Sequence, residues 1–425
     1  MLAGLTAYAE TAGEAAPAPD WGDITLDAQI RTRAEYRNGQ GSLKPEGTGP
    51  TGFVNDRVRF NVGWERKNLA MHISLQHVGV WGDASQTSKA GNINLHEAWA
   101  KLKFGDERNS GFLQLGRQVL SYDDERLLGG LDWAASGRAH DALRIGGQLG
   151  EHHSLHAFGT YSNNSESNTF LATGYDNAAG YQHMEGFWYH YALDKRLGIS
   201  FLFLNTGIMN TALDEEGKRL YPGTYNLQTA GIHLTGSAKG FSATFSAYGQ
   251  TGKSNTDKAV MAYLLSATAQ YRFNEIVSLG AGDDNISGSD GTDGKQHTFN
   301  VLYGTHHKFY GAMDYFNNSN MPAQGLNDLY GNIAVKPCKP LSMSLAYHWL
   351  ATNHRIADCP KTLGHELDLQ INWTIVKDVT LQAGYSMLLP TSAMQQIKRV
   401  AAAKPYQDWA WVSLNVSPRI FTTKK

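Results

Sequence analysis

The sequence predicts an all-β fold, a transmembrane antiparallel up-and-down barrel of about 18 strands, from three observations. Apolar and polar residues alternate with period two from Gly22 onward, in segments of roughly 10 to 15 residues. The apolar faces often finish in Tyr, Trp or Phe, as interfacial girdles require, while charges and amides hold the centre of the opposite faces, where a wet lumen tolerates them. Long connections alternate with tight turns, matching the outer loops and periplasmic turns of a bacterial outer-membrane barrel.

Composition agrees. Among 425 residues, 45 are Gly, 20 are Tyr and only 18% are charged. Mean hydropathy is −0.39, and no run approaches the roughly 18 apolar residues of a spanning helix. A barrel meets lipid with every second residue, so a polar average is what it predicts. The net charge of −2 does not bear on nucleic acid, but no basic domain or stripe is present, so no nucleic-acid partner is expected. Two cysteines, Cys338 and Cys359, exclude a disulfide scaffold or a four-cysteine zinc site. No G-x-S-x-G, P-loop or H-E-x-x-H is present, so neither enzyme activity, cofactor nor metal is expected.

Residues 1–21 read as a signal-peptide remnant or disordered leader: 2–9 are apolar and end in Ala7-Tyr8-Ala9, without a basic n-region. The barrel is expected over 22–421, with a tail at 422–425. In the first strand Ile24, Leu26, Ala28, Ile30 and Ala34 oppose Thr25, Asp27, Gln29, Arg31, Arg33 and Glu35. In the second, Val58, Phe60, Val62 and Trp64 oppose Arg57, Arg59, Asn61 and Glu65. The predicted strands are 22–37, 52–65, 67–79, 92–105, 109–120, 138–149, 152–163, 181–194 and 196–207. They continue at 224–238, 240–250, 258–273, 275–284, 325–337, 340–352, 363–376, 378–389 and 406–421. Odd-to-even links are long and even-to-odd links tight. The segment 297–316 has room for two more strands; a loop folded into the pore is expected instead. Cys338 falls at a periplasmic turn and Cys359 in an outer loop, beyond disulfide reach.

Gly116-Arg117-Gln118, Asp123-Asp124-Glu125-Arg126-Leu127, Gly129, Asp132-Trp133, Gly137-Arg138, Asp141 and Arg144 resemble the alginate export family of outer-membrane barrels. Gly282-Asp283-Asp284, Thr305 to Gly311 with Asp314, and Gly364-His365-Glu366-Leu367-Asp368 are similar to it as well. The resemblance implies an outer-membrane transport channel with an electropositive lumen, its arginines and lysines facing uronate carboxylates. The matching positions are Arg31, Arg33, Arg57, Arg59, Arg117, Arg126, Arg138 and Arg144. The long periplasmic lid of an alginate-secreting channel has no counterpart here, since the even-to-odd turns are short.

Independently of the resemblance, alternation puts Arg31, Arg33, Arg57, Arg59, Lys101, Arg138 and Arg144 on polar faces, as one basic wall. Asp27, Glu35, Glu65 and Glu97 share that wall and are expected to hold the arginines extended. A guanidinium gives a carboxylate two parallel hydrogen bonds and keeps its charge. A single such arginine serves cross-strand bracing as readily as solute contact; the cluster favours the solute. His152, His153 and His156 split between two faces and do not make a shared metal site. The acidic loop Asp283-Asp284 to Asp290 and Asp293, with Gly288, Gly291 and Gly294, offers carboxylate oxygens to calcium but lacks the EF-hand order, and a solvated loop is the expectation.

The predicted function is a channel in the bacterial outer membrane, in contact with lipid and lipopolysaccharide, passing alginate, other uronate-like saccharides or small carboxylates. A monomer is expected. The alternatives are a barrel plugged by 121–137 and 285–324 with an adhesion or scaffold role, and a sugar-uptake porin, for which Trp99 and Trp188 are the lumen aromatics in view.

Overall fold

The computed structural model describes residues 21–87, 92–106, 108–162, 180–209, 213–217, 223–317 and 320–424. The expected leader, apart from Trp21, lies outside the described residues. The chain forms β1 (Asp23–Asn38), β2 (Thr51–Arg66), β3 (Leu69–Val80), β4 (Ile93–Gly105), β5 (Asn109–Gln118), β6 (His140–Leu149), β7 (His153–Tyr161) and β8 (His183–Ala192). It continues as β9 (Leu197–Met209), β10 (Thr224–Ala238), β11 (Phe241–Lys253), β12 (Ala259–Arg272), β13 (Val277–Ile286) and β14 (Leu326–Cys338). Then follow β15 (Leu341–Ala351), β16 (Thr362–Val376), β17 (Val379–Pro390), helix α1 (Ser392–Lys398), β18 (Gln407–Val416) and β19 (Arg419–Thr422). From β1 to β18 each strand pairs antiparallel with its sequence neighbour, and β18 and the short β19 both pair with β1, closing an 18-stranded barrel. Closure leaves no edge strand, which hydrocarbon demands.

The last strand departs from the expected continuous 406–421. It breaks at Ser417–Pro418: β18 holds register with β1 from Ile30↔Val416 to Asn38↔Asp408, and β19 resumes at Asp27↔Arg419. Proline has no N–H to give the ladder, so it interrupts the run. Its carbonyl still accepts the Ala28 amide at 3.1 Å.

The tight turns are built by residues that suit them. Asp194 Oδ1 accepts the amides of Arg196 and Leu197, and Asn274 Oδ1 those of Ile276 and Val277. Lys239 and Gly240 both take positive φ, as a two-residue hairpin turn needs. The β11–β12 connection, residues 254–258, corrects the expectation that all odd-to-even links are long; Ser254 N donates to Lys258 O across it.

Exposed side chains such as Ile30, Phe60, Ile73, Leu115, Ile145, Phe201, Leu265, Leu345 and Leu414 cover the outside. Their neighbours face inward. The densest apolar packing lies inside the barrel, between loops. Leu120, Leu127 and Leu128 of 119–139 meet Phe299, Val301, Tyr310, Met313, Tyr315 and Phe316 of 287–325, with Met394 of α1. Residues 297–316 hold no strand; they form the inserted loop expected, with one 3-10 turn at His306–Lys308. Both cysteines are free, Cys338 at the end of β14 and Cys359 in the β15–β16 loop.

Leu265→Arg, on the outer face of β12, is expected to cost about 2–4 kcal/mol of folding free energy in lipid vesicles. Urea titration measures it, and a loss near zero would place that face in water.

Candidate functional site: the pore constriction

The β1–β2 register sets Arg31 opposite Arg57, Gln29 opposite Arg59 and Arg33 opposite Asn55, all facing inward. Four guanidiniums on two adjacent strands repel one another unless oxygens are brought to them. The 119–139 loop supplies the oxygens. Leu131 adopts positive φ, and the turn closed by Ala134 N→Leu131 O drives Asp132 into the cluster. Asp132 takes Arg57 Nη1 at 2.8 Å and Nη2 at 3.2 Å, and Arg59 Nη1 at 3.0 Å. Arg31 donates to the carbonyls of Asp132 (2.6 Å) and Ala134 (2.9 Å), Arg33 to that of Trp133 (2.9 Å) and Arg59 to that of Ser136 (3.1 Å). Gly137 has φ +67, and a Cβ there would stand 2.7 Å from Arg59 Nη2. The left-handed backbone there favours glycine.

Trp133 locks the second loop to the first. Arg33 Cζ lies 4.2 Å from its ring, the His307 imidazole stacks on it at 4.1 Å and 9°, and Trp411 meets it edge-on at 4.7 Å. His307 Nδ1 bonds Asp314 at 2.8 Å, and Asp314 also accepts Gln40 at 2.8 Å. Beside it His306 is pushed down to about 4 by burial, so it is neutral where it meets Val301 O at 3.1 Å. Glu35 pairs with Arg33 and Arg37, each at 2.8 Å, and accepts Trp409 Nε1 at 3.0 Å.

The opposite anchors are acidic. Arg126, almost fully buried, pairs with Asp124 at 2.7 Å and with Asp284 of β13 at 2.9 Å, and Phe309 lies under its guanidinium at 4.0 Å. Glu366 of β16 accepts Met313 N at 2.7 Å. Asp328 of β14 binds His348 of β15 at 2.9 Å. Arg138 donates to the carbonyls of Tyr303 and Gly304, joining the two loops.

Arg31, Arg33, Arg57, Arg59 and Glu35 therefore come together, but as a wall covered by a loop rather than a bare one. Arg126 and Arg138 belong to the loop and brace it. Lys101 and Arg144 face the lumen on β4 and β6, outside the cluster. Glu97 also faces inward, 3.2 Å from Trp99 Nε1. Asp27 sits toward the tight-turn end, paired with Arg419 at 3.0 Å. Arg117 is a correction. Gln114 and Gln118 are the buried, inward residues of β5, so Arg117 points outward with Leu113 and Leu115 and pairs with Asp141 at 2.9 Å. Sequence reasoning missed Asp132, Trp133, His307, Trp409 and Trp411 as site residues. The Asp132-Trp133 and His306-His307 motifs were the available signal.

A sequence profile of the alginate export family matches residues 24–404. A search of curated protein sequences returns no match. Among solved structures, the chain is similar to Pseudomonas aeruginosa OccK11 (OpdR) at 10% identity, covering 94% of this chain and 96% of that one with a TM-score of 0.62. Acinetobacter baumannii OccAB1 matches at 12% identity, covering 94% and 97% with a TM-score of 0.63. Acinetobacter baumannii OccAB4 also matches at 12%, covering 94% and 98% with a TM-score of 0.62. At such identity the likeness speaks for the fold.

Arg126→Met, which leaves Asp284 buried without its counter-charge, is expected to cost about 3–5 kcal/mol, read as a lowered urea midpoint. An unchanged midpoint would show that this pair does not hold the loop.

Proposed function

The chain belongs to the alginate export family and is a bacterial outer-membrane channel, and from that footing we propose that it passes anionic solutes, uronate-type saccharides or small carboxylates. One observation carries the proposal: at the level where the loops cross the lumen, the four guanidiniums of Arg31, Arg33, Arg57 and Arg59 make direct ion pairs with two carboxylates among the described residues, Asp132 and Glu35. Positive charge is left over. The Asp132 side chain is 66% exposed while that of Arg57 is 1% exposed, so water reaches the carboxylate rather than the guanidinium behind it.

Asp132 is thus a built-in carboxylate on an arginine fork. A solute carboxylate arriving there exchanges with it, one charge-assisted hydrogen bond for another. Such an exchange lowers the energy of entry without trapping the solute; a full pair is worth about 1 kcal/mol in bulk water and about 4 at an effective dielectric near 20. The family and the fold are those of transport channels rather than of enzymes. The apolar cluster between the inserted loops favours a second reading, a plugged barrel with an adhesion or scaffold role. Absence of single-channel conductance in planar bilayers would select that reading.

Asp132→Asn is expected to raise the anion-over-cation permeability ratio about twofold to fivefold, an energy on the order of 0.5–1 kcal/mol. Arg31→Gln with Arg59→Gln is expected to lower it by a similar factor. Reversal potentials in a salt gradient measure both, and unchanged values in both variants would remove the anionic assignment.

A further inference from the structure

A ribbon of rings lines the lumen on β3 to β8, between the 119–139 loop and the tight-turn end. His72 of β3 stacks on Trp99 of β4, with centroids 5.4 Å apart. Lys101 Nζ lies 5.1 Å from the Trp99 ring and 5.0 Å from that of Phe112 on β5. Phe112 meets His156 of β7 edge-on at 5.3 Å, His156 meets Trp188 of β8 at 5.2 Å, and Trp188 stacks on His190 at 5.6 Å. Gly146 of β6 makes the middle link possible, because a Cβ there would fall 2.3 Å from the His156 ring. The register independently places Phe112 opposite Gly146, Gly146 opposite His156 and His156 opposite Trp188.

Two cations stand on this ribbon and neither has a carboxylate partner among the described residues. Lys101 makes none of the ion pairs found among the described residues, and Arg144, whose Cζ is 5.4 Å from the Phe112 ring, donates to Gln114 at 3.0 Å. Arg144 Nε and His156 Nδ1 are buried without a hydrogen-bond partner among the described residues. The upper edge is roofed by the loop: Tyr122 stacks on Phe158, and Trp188 Nε1 donates to Asp123 at 2.9 Å. The arginine cluster, by contrast, has its donors taken by Asp132 and loop carbonyls.

We infer that Lys101 and Arg144, set among Trp99, Phe112, His156 and Trp188, form a second solute site on the periplasmic side of the constriction, for a carboxylate carried on a six-membered ring. The ring faces take the apolar face of the solute, and the two cations take its carboxylate. A pyranose uronate and an aryl carboxylate share that chemistry. The inference rests on the anionic reading above and adds the requirement for a ring.

The test uses the purified full chain in planar bilayers, with glucuronate, benzoate or open-chain gluconate added to each chamber in turn and current block recorded. From one chamber only, the ring acids are expected to half-block at concentrations about tenfold below that of gluconate. Lys101→Gln with Arg144→Gln weakens block by all three acids about tenfold. Trp99→Leu with Phe112→Leu removes the preference for rings and leaves gluconate block as it was. Glucuronate ahead of benzoate assigns the site to sugar acids, and the reverse order assigns it to aryl acids. Equal block by gluconate and the ring acids, or a ring preference that survives Trp99→Leu with Phe112→Leu, overturns the site. Either result with an anion-selective reversal potential removes this site alone; a cation-selective reversal potential removes the reading beneath it.

Discussion

Four guanidiniums on neighbouring strands set the terms for the interior of this barrel. Arg31, Arg33, Arg57 and Arg59 project from β1 and β2 into one patch, at positions the register makes unavoidable. Such a patch is tolerable only with oxygens close by. Asp132 and the carbonyls of 132–136 meet that need, and meeting it decides where the 119–139 loop lies. Everything else in the lumen is arranged around that loop: Trp133 presents a face to His307, and the 287–325 loop docks on it in turn.

The lumen is consequently polarised across its width. Basic side chains dominate β1, β2, β4 and β6, while Asp284, Asp328, Glu366 and Asp368 stand on β13, β14 and β16. Each wall grips inserted backbone with the complementary chemistry, guanidiniums binding carbonyls on one side and carboxylates binding Arg126 or backbone amides on the other. Between them the loops bury an apolar core of their own. The molecule is apolar on its lipid face and again at its centre, with a polar shell between.

The shell was legible in the sequence strand by strand, the centre only as the expectation of an inserted loop. Strand positions follow from period-two alternation because lipid on one side and water on the other act on every residue of a strand. Ile30 and Arg31 could be placed on opposite faces with no other information. A loop carries no such period. Asp132 sat within a recognisable motif, yet its destination depends on arginines about a hundred residues earlier in the chain. Arg117 shows the converse error: it entered from the motif, whereas the alternation through Gln114 and Gln118 sends it outward. Of the ring ribbon only Trp99 and Trp188 were legible as lumen aromatics, because it runs across strands, one or two residues from each, so no single segment looks aromatic.

β1 carries a heavier burden than any other strand. It zips to β18 and β19, with Asp27 reaching Arg419 across 392 residues of chain, and its arginines clasp a loop drawn from a third region. Contacts so distant in sequence form slowly and late in folding. With seam and clasp sharing one ribbon of backbone, a fault in β1 would disturb the sealing of the cylinder and the seating of its insert alike.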